Sequence, residues 1–297
     1  MQLTAGLIDV FANAPLSGNP LAVVENADGL KDDLLRRIAG EFNQAETTFL
    51  MKSELADWKL RSFTANGSEV SGAGHNALGA WLWLGYHGAL GSLDLPTTFH
   101  QEIGGDILPI TLERRDGLIY GKMMQSPLKL AAPVTALDAL AEALGLGVGD
   151  IVQHPAPRAA DTGASHLMLR LQDRDAVDRA KPLADRLLAI LGPAGAEGCY
   201  VYAFDEAVPG EAYARFFNPT VGLWEDSATG TAAGPLTAYI GKEGLLAADG
   251  QLRIEQGTRM GRPSFLHVRL TPEPELSGTG ILVFTGTLKL DNRWTGS

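Results

Sequence analysis

The chain is nearly free of cysteine, with Cys199 as the one thiol among 297 residues. A single thiol excludes an internal disulfide and any metal site built from several thiolates. Cys199 stands in an alternating stretch, GCYVYAF, that is typical of a strand, so we interpret it as a small core residue and not as a nucleophile. The six histidines show neither the HExxH spacing nor the close pairing of a zinc site. We therefore predict no metal.

Positive charge is also scarce, because 24 lysines and arginines face 35 aspartates and glutamates and leave a net charge of −11. No run of basic residues offsets this balance locally, so nucleic acid is excluded as a partner. No apolar run approaches the roughly 18 residues of a membrane span. The N-terminus lacks the basic start and long apolar stretch of a signal peptide, so we expect a soluble, cytoplasmic protein that does not bind membranes.

The stretch from Arg61 to Tyr86 changes at Gly74 from a polar, glycine-rich loop into an apolar helix. We predict that the helix begins near His75. The first N–H groups of a helix lack partners within the helix and carry the positive end of its dipole, so this helix start is a candidate anion site, with Gly74 and Asn76 against the ligand. An ordinary buried helix behind a flexible loop is the alternative for one such motif.

The same motif recurs about 156 residues later, without a gap. The shift pairs Thr64 with Thr220, Glu69 with Glu225, Gly74 with Gly230, Ala77 with Ala233 and Gly85 with Gly241. This internal repeat predicts two similar domains, with a ligand between two helix starts and with Gly230 and Thr231 as further binding residues. We place the domains at residues 1–125 and 126–280, and we expect the last strand, about 280–297, to complete the first one.

Local patterns predict the main elements. Helices are expected at Leu30–Phe42, Thr135–Leu144 and Asp175–Leu191, the last with a break at Pro182, and strands are expected at Thr47–Met51, Trp58–Phe63, Ser92–Leu95, 251–256, 264–271 and 280–285. Asp116 and Gly117 predict a hairpin turn.

Two further positions are candidates for ligand contact. Asn19 ends a long turn-rich loop that is either decorative or lines a ligand. Glu46 stands directly before the buried strand Thr47–Met51, where loss of water would favour a proton-shuttling carboxyl over a solvated one. In the second half, Ser165 and His166 precede a strand in a comparable way but supply no carboxylate.

An ordered set of segments resembles the PhzF-like family of phenazine biosynthesis, which has the diaminopimelate-epimerase-like fold. The matching segments are Asp9–Phe11 with Pro15–Val24, Glu46–Phe49, Gly74–His75, Glu225–Gly230, and Gln256–Gly257 with Gly261–Ser264. They span nearly the whole chain in the family's order.

The resemblance implies an α+β protein of two pseudo-symmetric domains, each a curled, mostly antiparallel sheet around a central helix. It also implies a homodimer and a cofactor-independent isomerase that transfers a proton in a small carboxylate-bearing substrate. The family's acid/base glutamate falls on Glu46, its histidine on His75 and its second-loop aspartate on Asp226.

Related epimerases use two cysteines at the helix starts, and those positions are Ala73 and Thr229 here, which excludes a two-thiol racemase. Thr231 stands where the family usually has serine, and Asn76 follows His75, so the natural substrate can differ from the phenazine precursor. A non-catalytic protein that binds a small acid, and a glutamate-based racemase or hydro-lyase, remain alternatives.

Overall fold

The computed structural model describes residues 1–70, 72, 74–221 and 223–291. The chain divides into two compact units. The first contains Met1–Met123 and the chain from Ser277 onward, and the second contains Met124–Leu276. No helix among the described residues combines the length and apolar content that crossing a membrane requires.

The fold is a mixed, sheet-rich one with few helices. The helices are α1 (Asp32–Phe42), α2 (His75–Tyr86), α3 (Leu137–Ala143), α4 (Arg174–Arg179), α5 (Ala184–Ala194) and α6 (Gly230–Lys242). The strands are β1 (Gln2–Val10), β2 (Asn19–Val24), β3 (Thr47–Met51), β4 (Trp58–Phe63), β5 (Glu69–Val70), β6 (Thr97–Ile103), β7 (Asp106–Arg115), β8 (Leu118–Met124), β9 (Lys129–Pro133), β10 (Arg158–Asp161), β11 (Ser165–Arg170), β12 (Gly198–Ala203), β13 (Glu211–Asn218), β14 (Leu223–Asp226), β15 (Gln251–Gln256), β16 (Ser264–Leu270) and β17 (Pro274–Lys289).

Strand pairing closes the first unit into a barrel. The ring runs β1–β2–β3–β4–β6–β7–β8–β17 and returns to β1, because β17 pairs with both β8 and β1. The β2–β3 and β4–β6 pairs are parallel, whereas β1–β2, β3–β4, β6–β7 and β7–β8 are antiparallel. A closed ring leaves no unpaired strand edge.

Helix α2 of the first unit is buried from His75 to Gly85 and packs against β1, β2, β3 and β4. Its glycines permit close approach of the strands: a Cβ added at Gly79 would lie 2.6 Å from Leu21 Cδ2. The indole N–H groups inside the core have acceptors, since Trp81 donates to Gln101 at 2.9 Å. A helix surrounded by strands therefore keeps its polar groups satisfied.

The second unit repeats the order of pairings found in the first. The β11–β12 pair is parallel, β12–β13 antiparallel, β13–β15 parallel and β15–β16 antiparallel, as for β2–β3, β3–β4, β4–β6 and β6–β7. Helix α6 is buried from Ala232 to Ile240 and packs against β10, β11, β15 and β16. A separate core under α3, α4 and α5 includes Leu140, Leu187 and Cys199.

Candidate functional site

Glu46 and His75 come together in the first unit. Glu46 directly precedes β3, and its carbonyl oxygen accepts a hydrogen bond from the N–H of Ala22 on the parallel strand β2 at 3.4 Å. His75 is the first residue of α2. The Nδ1 atom of His75 lies 3.8 Å from Oε2 of Glu46, and the two side chains are 10% and 18% exposed. A strand start and a helix start thus place an imidazole beside a carboxyl group that water reaches poorly.

His75 is neutral at pH 7. Burial of the ring lowers the pKa of His75 to about 4, because an imidazolium ion deep in the protein loses its hydration. Its Nε2 atom is buried and has no hydrogen-bond partner among the described residues. The ring therefore offers Glu46 a dipolar neighbour and not a compensating cation.

A hydrogen-bond network connects the start of α2 to β4 and to β3, the strand that directly follows Glu46. Asn76 donates from Nδ2 to Ser62 Oγ at 3.1 Å and to Gly72 O at 2.9 Å, and its Oδ1 accepts from the N–H of Gly74 at 2.7 Å. Ser62 Oγ also lies 2.8 Å from Thr48 Oγ1, two residues after Glu46. Both Nδ2 hydrogens of Asn76 are used within the protein, so its side chain organises the loop. A substrate contact of Asn76 or Gly74 stays a prediction.

The turn-rich loop before Asn19 is held in shape by its own polar groups. Asp9 Oδ2 accepts from the N–H of Leu16 at 2.7 Å, and Ser17 donates to Ala14 O at 2.6 Å. Gly18 has φ +68°, and a Cβ there would lie 2.4 Å from Val10 O, so glycine is required on two counts. Asn19 is 1% exposed at the start of β2. Its predicted contact with a ligand stays a prediction.

In the second unit, Asp226 ends β14 and is bonded to the start of α6. Thr229, which precedes α6, donates from Oγ1 to Asp226 Oδ2 at 2.6 Å. Gln256 donates from Nε2 to Asp226 O at 2.8 Å and to Thr229 Oγ1 at 3.0 Å. The fully buried Tyr200 donates to Gln256 Oε1 at 2.8 Å. Asp226 is thus a held carboxylate at a helix start, where the helix dipole favours negative charge.

Gly230 and Thr231 are the first two residues of α6. Gln125 donates to Gly230 O at 2.9 Å and accepts from Thr162 Oγ1 at 2.7 Å, which ties the helix start to the residue that follows β10. Thr231 Oγ1 lies 3.1 Å from Nε2 of His166, the second residue of β11. The structure therefore pairs the predicted binding residue Thr231 with a histidine that the sequence did not assign to a site.

In the order of strand pairings, β12 takes the place that β3 has in the first unit, so Gly198 matches Glu46, whereas Ser165 and His166 lie in β11, which takes the place of β2. Asn43 follows α1 and Gly195 follows α5, and both residues have the left-handed backbone conformation. Glu46 lies three residues after Asn43, and Gly198 lies three residues after Gly195. The following residues agree, because Thr47 pairs with Phe63 as Cys199 pairs with Phe217. A Cβ added at Gly198 would lie 2.4 Å from Cζ of Phe216. An aromatic ring therefore occupies the space that a second acid would need.

No thiol is available for catalysis at the positions that the structure describes. Thr229 stands at one helix start and binds Asp226, whereas Ala73, at the other, lies outside the described residues. Cys199 is fully buried in β12, and burial raises the pKa of its thiol to about 12. The interpretation of Cys199 as a core residue is confirmed.

Other parts of the described chain offer no metal centre, since they contain no group of three or more His, Cys, Asp or Glu side chains that could hold an ion. A cavity of about 590 Å³ in the second unit has none of the predicted site residues in its lining. Its arginines are matched by carboxylates in the pairs Arg170–Glu206, Arg174–Glu255 and Arg253–Glu211. We do not assign the predicted chemistry to it.

Sequence reasoning assigned no role at the site to Ser62, Gln256 or His166. Ser62 lies in β4 and Gln256 ends β15, and each bonds to a residue at a helix start that is distant in sequence. The available signal was a polar residue within a buried strand, because such a side chain requires a partner.

Comparisons with known proteins agree with this architecture. The family profile described as phenazine biosynthesis-like protein, PhzC-PhzF, matches residues 8–286. A trans-2,3-dihydro-3-hydroxyanthranilate isomerase from Pseudomonas chlororaphis is 32% identical over 295 residues, which are 96% of this chain and 98% of that protein.

Two crystal structures extend the comparison to the fold. A PhzF-family phenazine biosynthesis protein from Bacillus anthracis has a TM-score of 0.86 and 26% identity, and the match covers 98% of this chain and 100% of the other. A hydroxyproline epimerase from Agrobacterium vitis has a TM-score of 0.67 at 12% identity over 98% of this chain and 92% of the other, which shows an epimerase-like fold. The chain is an isomerase and belongs to the PhzC-PhzF family of phenazine biosynthesis-like proteins.

Proposed function

We propose that the chain is a cofactor-independent isomerase that shifts a proton within a small carboxylate-bearing metabolite, with Glu46 as the acid/base group. The contact between Glu46 and His75 supports this proposal. It places the imidazole at the start of α2 beside the carboxyl group that directly precedes β3. A general base must accept and release a proton in each turnover. The neutral His75 does not hold Glu46 in its ionised form as a cation would.

The absence of a matching acid in the second unit supports a single base. Gly198 corresponds to Glu46, and the ring of Phe216 fills the adjacent space. With one shuttle, the proton that leaves one carbon is available for return to another position of the same molecule. A two-base racemase would instead require a second acid on the opposite face of the substrate.

We further propose that the two compact units are the predicted pseudo-symmetric domains, each with a curled sheet around α2 or α6. The shared order of strand pairings and the burial of both helices support this proposal. The predicted position of the substrate between the domains, the homodimer and the cytoplasmic location stay predictions.

The substrate class follows from the donors at the two helix starts. Backbone N–H groups at His75–Ala77 and at Gly230 and Thr231 suit a carboxylate, whereas the N–H of Ala232 donates to Thr229 O at 3.1 Å. Asp226 suits a polar or protonated group of the same molecule. The P. chlororaphis relative is named for trans-2,3-dihydro-3-hydroxyanthranilate, which has a carboxylate, so this compound is the first to test. Thr231 in place of the family's usual serine makes a related acid the alternative substrate.

The test is turnover of trans-2,3-dihydro-3-hydroxyanthranilate in D₂O, with deuterium in the product measured by mass spectrometry and NMR. A shuttle that is sheltered from water returns part of the substrate's own hydrogen, so we expect less than one deuterium per turnover at the protonated carbon. Full incorporation at every turnover would contradict a sheltered single shuttle.

Three outcomes separate the other functions. Binding of the acid without any change in its structure would identify a non-catalytic binder. Loss of water from the substrate would identify a hydro-lyase, and exchange at a stereocentre without a shift of a double bond would identify a racemase. Glu46→Gln should lower kcat by at least about a hundredfold in each catalytic case and spare binding in the first case.

A further inference from the structure

His166 is a buried histidine for which the proposed acid/base chemistry gives no role. It is 2% exposed on β11, and its Nε2 lies 3.1 Å from Thr231 Oγ1 at the start of α6. Its other ring nitrogen, Nδ1, is buried and has no hydrogen-bond partner among the described residues. A buried polar atom without a hydrogen-bond partner lowers the stability of the fold, so a compensating role for the ring is expected.

The ring of His166 is held rigidly. The rings of His166 and Phe216 form a T-shaped pair, with centroids 4.8 Å apart and planes at 80°. Its backbone lies between Ala160 of β10 and Gly198 of β12, so the strand is paired on both sides. A side chain fixed in this way can orient the hydroxyl group of a neighbour.

The missing partner of Nδ1 determines which nitrogen carries the hydrogen. Burial lowers the pKa of His166 to about 4 although the charge of Asp161 opposes the shift, so the ring is neutral at pH 7 and has one N–H. If Nδ1 carried it, a buried donor would be left unpaired. If Nε2 carries it, the donor is bonded to Thr231 and only an acceptor remains without a partner, which is the less costly arrangement.

Hydrogen on Nε2 has a consequence for Thr231. The hydroxyl oxygen of Thr231 then accepts from His166, and the hydroxyl hydrogen is free to be donated elsewhere. Thr231 is the second residue of α6 and is partly exposed, at the end of the helix where the dipole favours an anion. The donated hydrogen thus adds to the backbone N–H groups of the same helix turn.

We propose that His166 is a positioning residue that donates from Nε2 to Thr231 and makes the threonine hydroxyl a donor to an anionic oxygen of the substrate. The substrate contact rests on the proposed function, whereas the state of the His166 ring does not. The ligand class is a carboxylate, bound by Thr231 Oγ1 together with the N–H groups at the start of α6.

The first experiment tests the ring without any substrate. Long-range ¹⁵N–¹H NMR of the histidine-labelled full chain, assigned with His166→Gln, reports which ring nitrogen carries hydrogen. We expect the Nε2–H form at pH 7 and a shift of that nitrogen in Thr231→Val. A spectrum of the Nδ1–H form would overturn the proposal, whatever the substrate is.

The second experiment tests the contact through matched variants, with 2-aminobenzoate as the binding probe and trans-2,3-dihydro-3-hydroxyanthranilate for turnover. Glutamine places an amide N–H where His166 has Nε2, whereas leucine has no donor. We expect His166→Leu to weaken the affinity for the probe and to raise KM by about tenfold with a smaller change in kcat, as for loss of one hydrogen bond to a charged group. His166→Gln should recover most of the affinity.

A double-mutant cycle tests whether His166 acts on KM through the hydroxyl group of Thr231 or only through the stability of the fold. In the Thr231→Val background, His166→Leu should have no further effect on KM, because the hydroxyl that it orients is already absent. Thr231→Ser should resemble the unaltered chain. Additive effects of His166→Leu and Thr231→Val would overturn the proposal. Failure of the proposed function would appear differently, as a lack of turnover in the unaltered chain with the NMR result unchanged.

Discussion

Nδ1 of His75 lies 3.8 Å from Oε2 of Glu46, at the start of a helix that is buried along nearly its whole length. Because burial lowers the pKa of His75 to about 4, the imidazole is neutral and its contact with the carboxyl group is dipolar. The roles of the two residues can therefore be separated by substitution.

Glu46→Gln should fold normally and lose at least about a hundredfold in kcat, because the amide has the shape of the acid but cannot carry the proton. His75→Asn should lose less, about tenfold, since a neighbour that orients the carboxyl does not itself bear the proton. Steady-state kinetics with trans-2,3-dihydro-3-hydroxyanthranilate would measure both, with circular dichroism as the control for folding. An active Glu46→Gln protein would show that another residue is the base.

Asn76→Ala should lower the free energy of unfolding by about 2–3 kcal/mol, because it removes three hydrogen bonds and leaves the N–H of Gly74 without its acceptor. Urea denaturation would measure the loss. Asn66→Ala is a matched control, since Asn66 accepts hydrogen bonds from Thr64 and Ser68 on an exposed loop and should cost less than about 1 kcal/mol. Similar losses in the two variants would contradict a structural role for Asn76.

Gly198→Ala should destabilise the second unit by about 1–3 kcal/mol, because the added Cβ would meet the ring of Phe216 and the carbonyl oxygen of Phe217. Gly192→Ala is the control: nothing lies within 4 Å of its added Cβ, and it is in helix α5, where alanine is favoured. Thermal unfolding should separate the two variants. A neutral Gly198→Ala would mean that space for a second side chain exists beside Phe216.

His166 should make stability depend on pH below 6.5. Its pKa is about 4 in the folded chain and 6.5 for an unburied imidazole, so between these values the unfolded chain binds the additional proton. Its contribution to stability is complete above pH 6.5 and is lost as the pH falls toward 4. From pH 7 to 4.5 the loss should be about 2.5 kcal/mol.

The measurement is urea denaturation of the unaltered chain and of His166→Gln at both pH values. The difference in stability between them should shrink at pH 4.5 by about that amount. His75 contributes in the same direction in both proteins and cancels from the comparison. A difference that stays constant with pH would contradict a neutral, buried His166.

Cys199→Ala should keep turnover and lose about 1 kcal/mol of stability, because the side chain is fully buried in a core away from the site residues of its own unit. The raised pKa of the thiol predicts that Cys199 resists alkylation in the folded chain and reacts only in urea. Loss of activity in a folded Cys199→Ala protein would show a role for the thiol.

The sequence predicts elements well where a local pattern changes sharply. The start of α2 at His75 and the bounds of β3 at Thr47–Met51 are confirmed, since a glycine-rich loop and a short apolar run mark them. The turn at Asp116 and Gly117 is confirmed, with both residues at positive φ. The expected strand at Ser92–Leu95 is wrong: Ser92 donates to Asp94 in a local turn, and Leu95 is 76% exposed.

The site was predictable only in part, because its partners lie on strands that are distant in sequence. Glu46 and His75 are 29 positions apart in the sequence. The resemblance to a family identifies both as site residues, but the sequence alone does not show that they are in contact. The distant hydrogen-bond partners of Asn76, Thr229 and Thr231 have no local signature. Likewise, the correspondence of Gly198 with Glu46 depends on strand register, which a glycine in a short apolar run does not reveal.

The barrel of the first unit pairs β1 with a strand that follows the second unit in sequence. β1 and β17 pair from Gln2 opposite Lys289 to Val10 opposite Gly280, so β1 acquires this neighbour only after the second unit has been synthesised. The second unit is one continuous segment, Met124–Leu276, and can fold while β1 still has an open edge. During synthesis the unit that carries Glu46 and His75 is therefore the later of the two to complete its strand pairing, and until then β1 has an unpaired edge through which chains can aggregate.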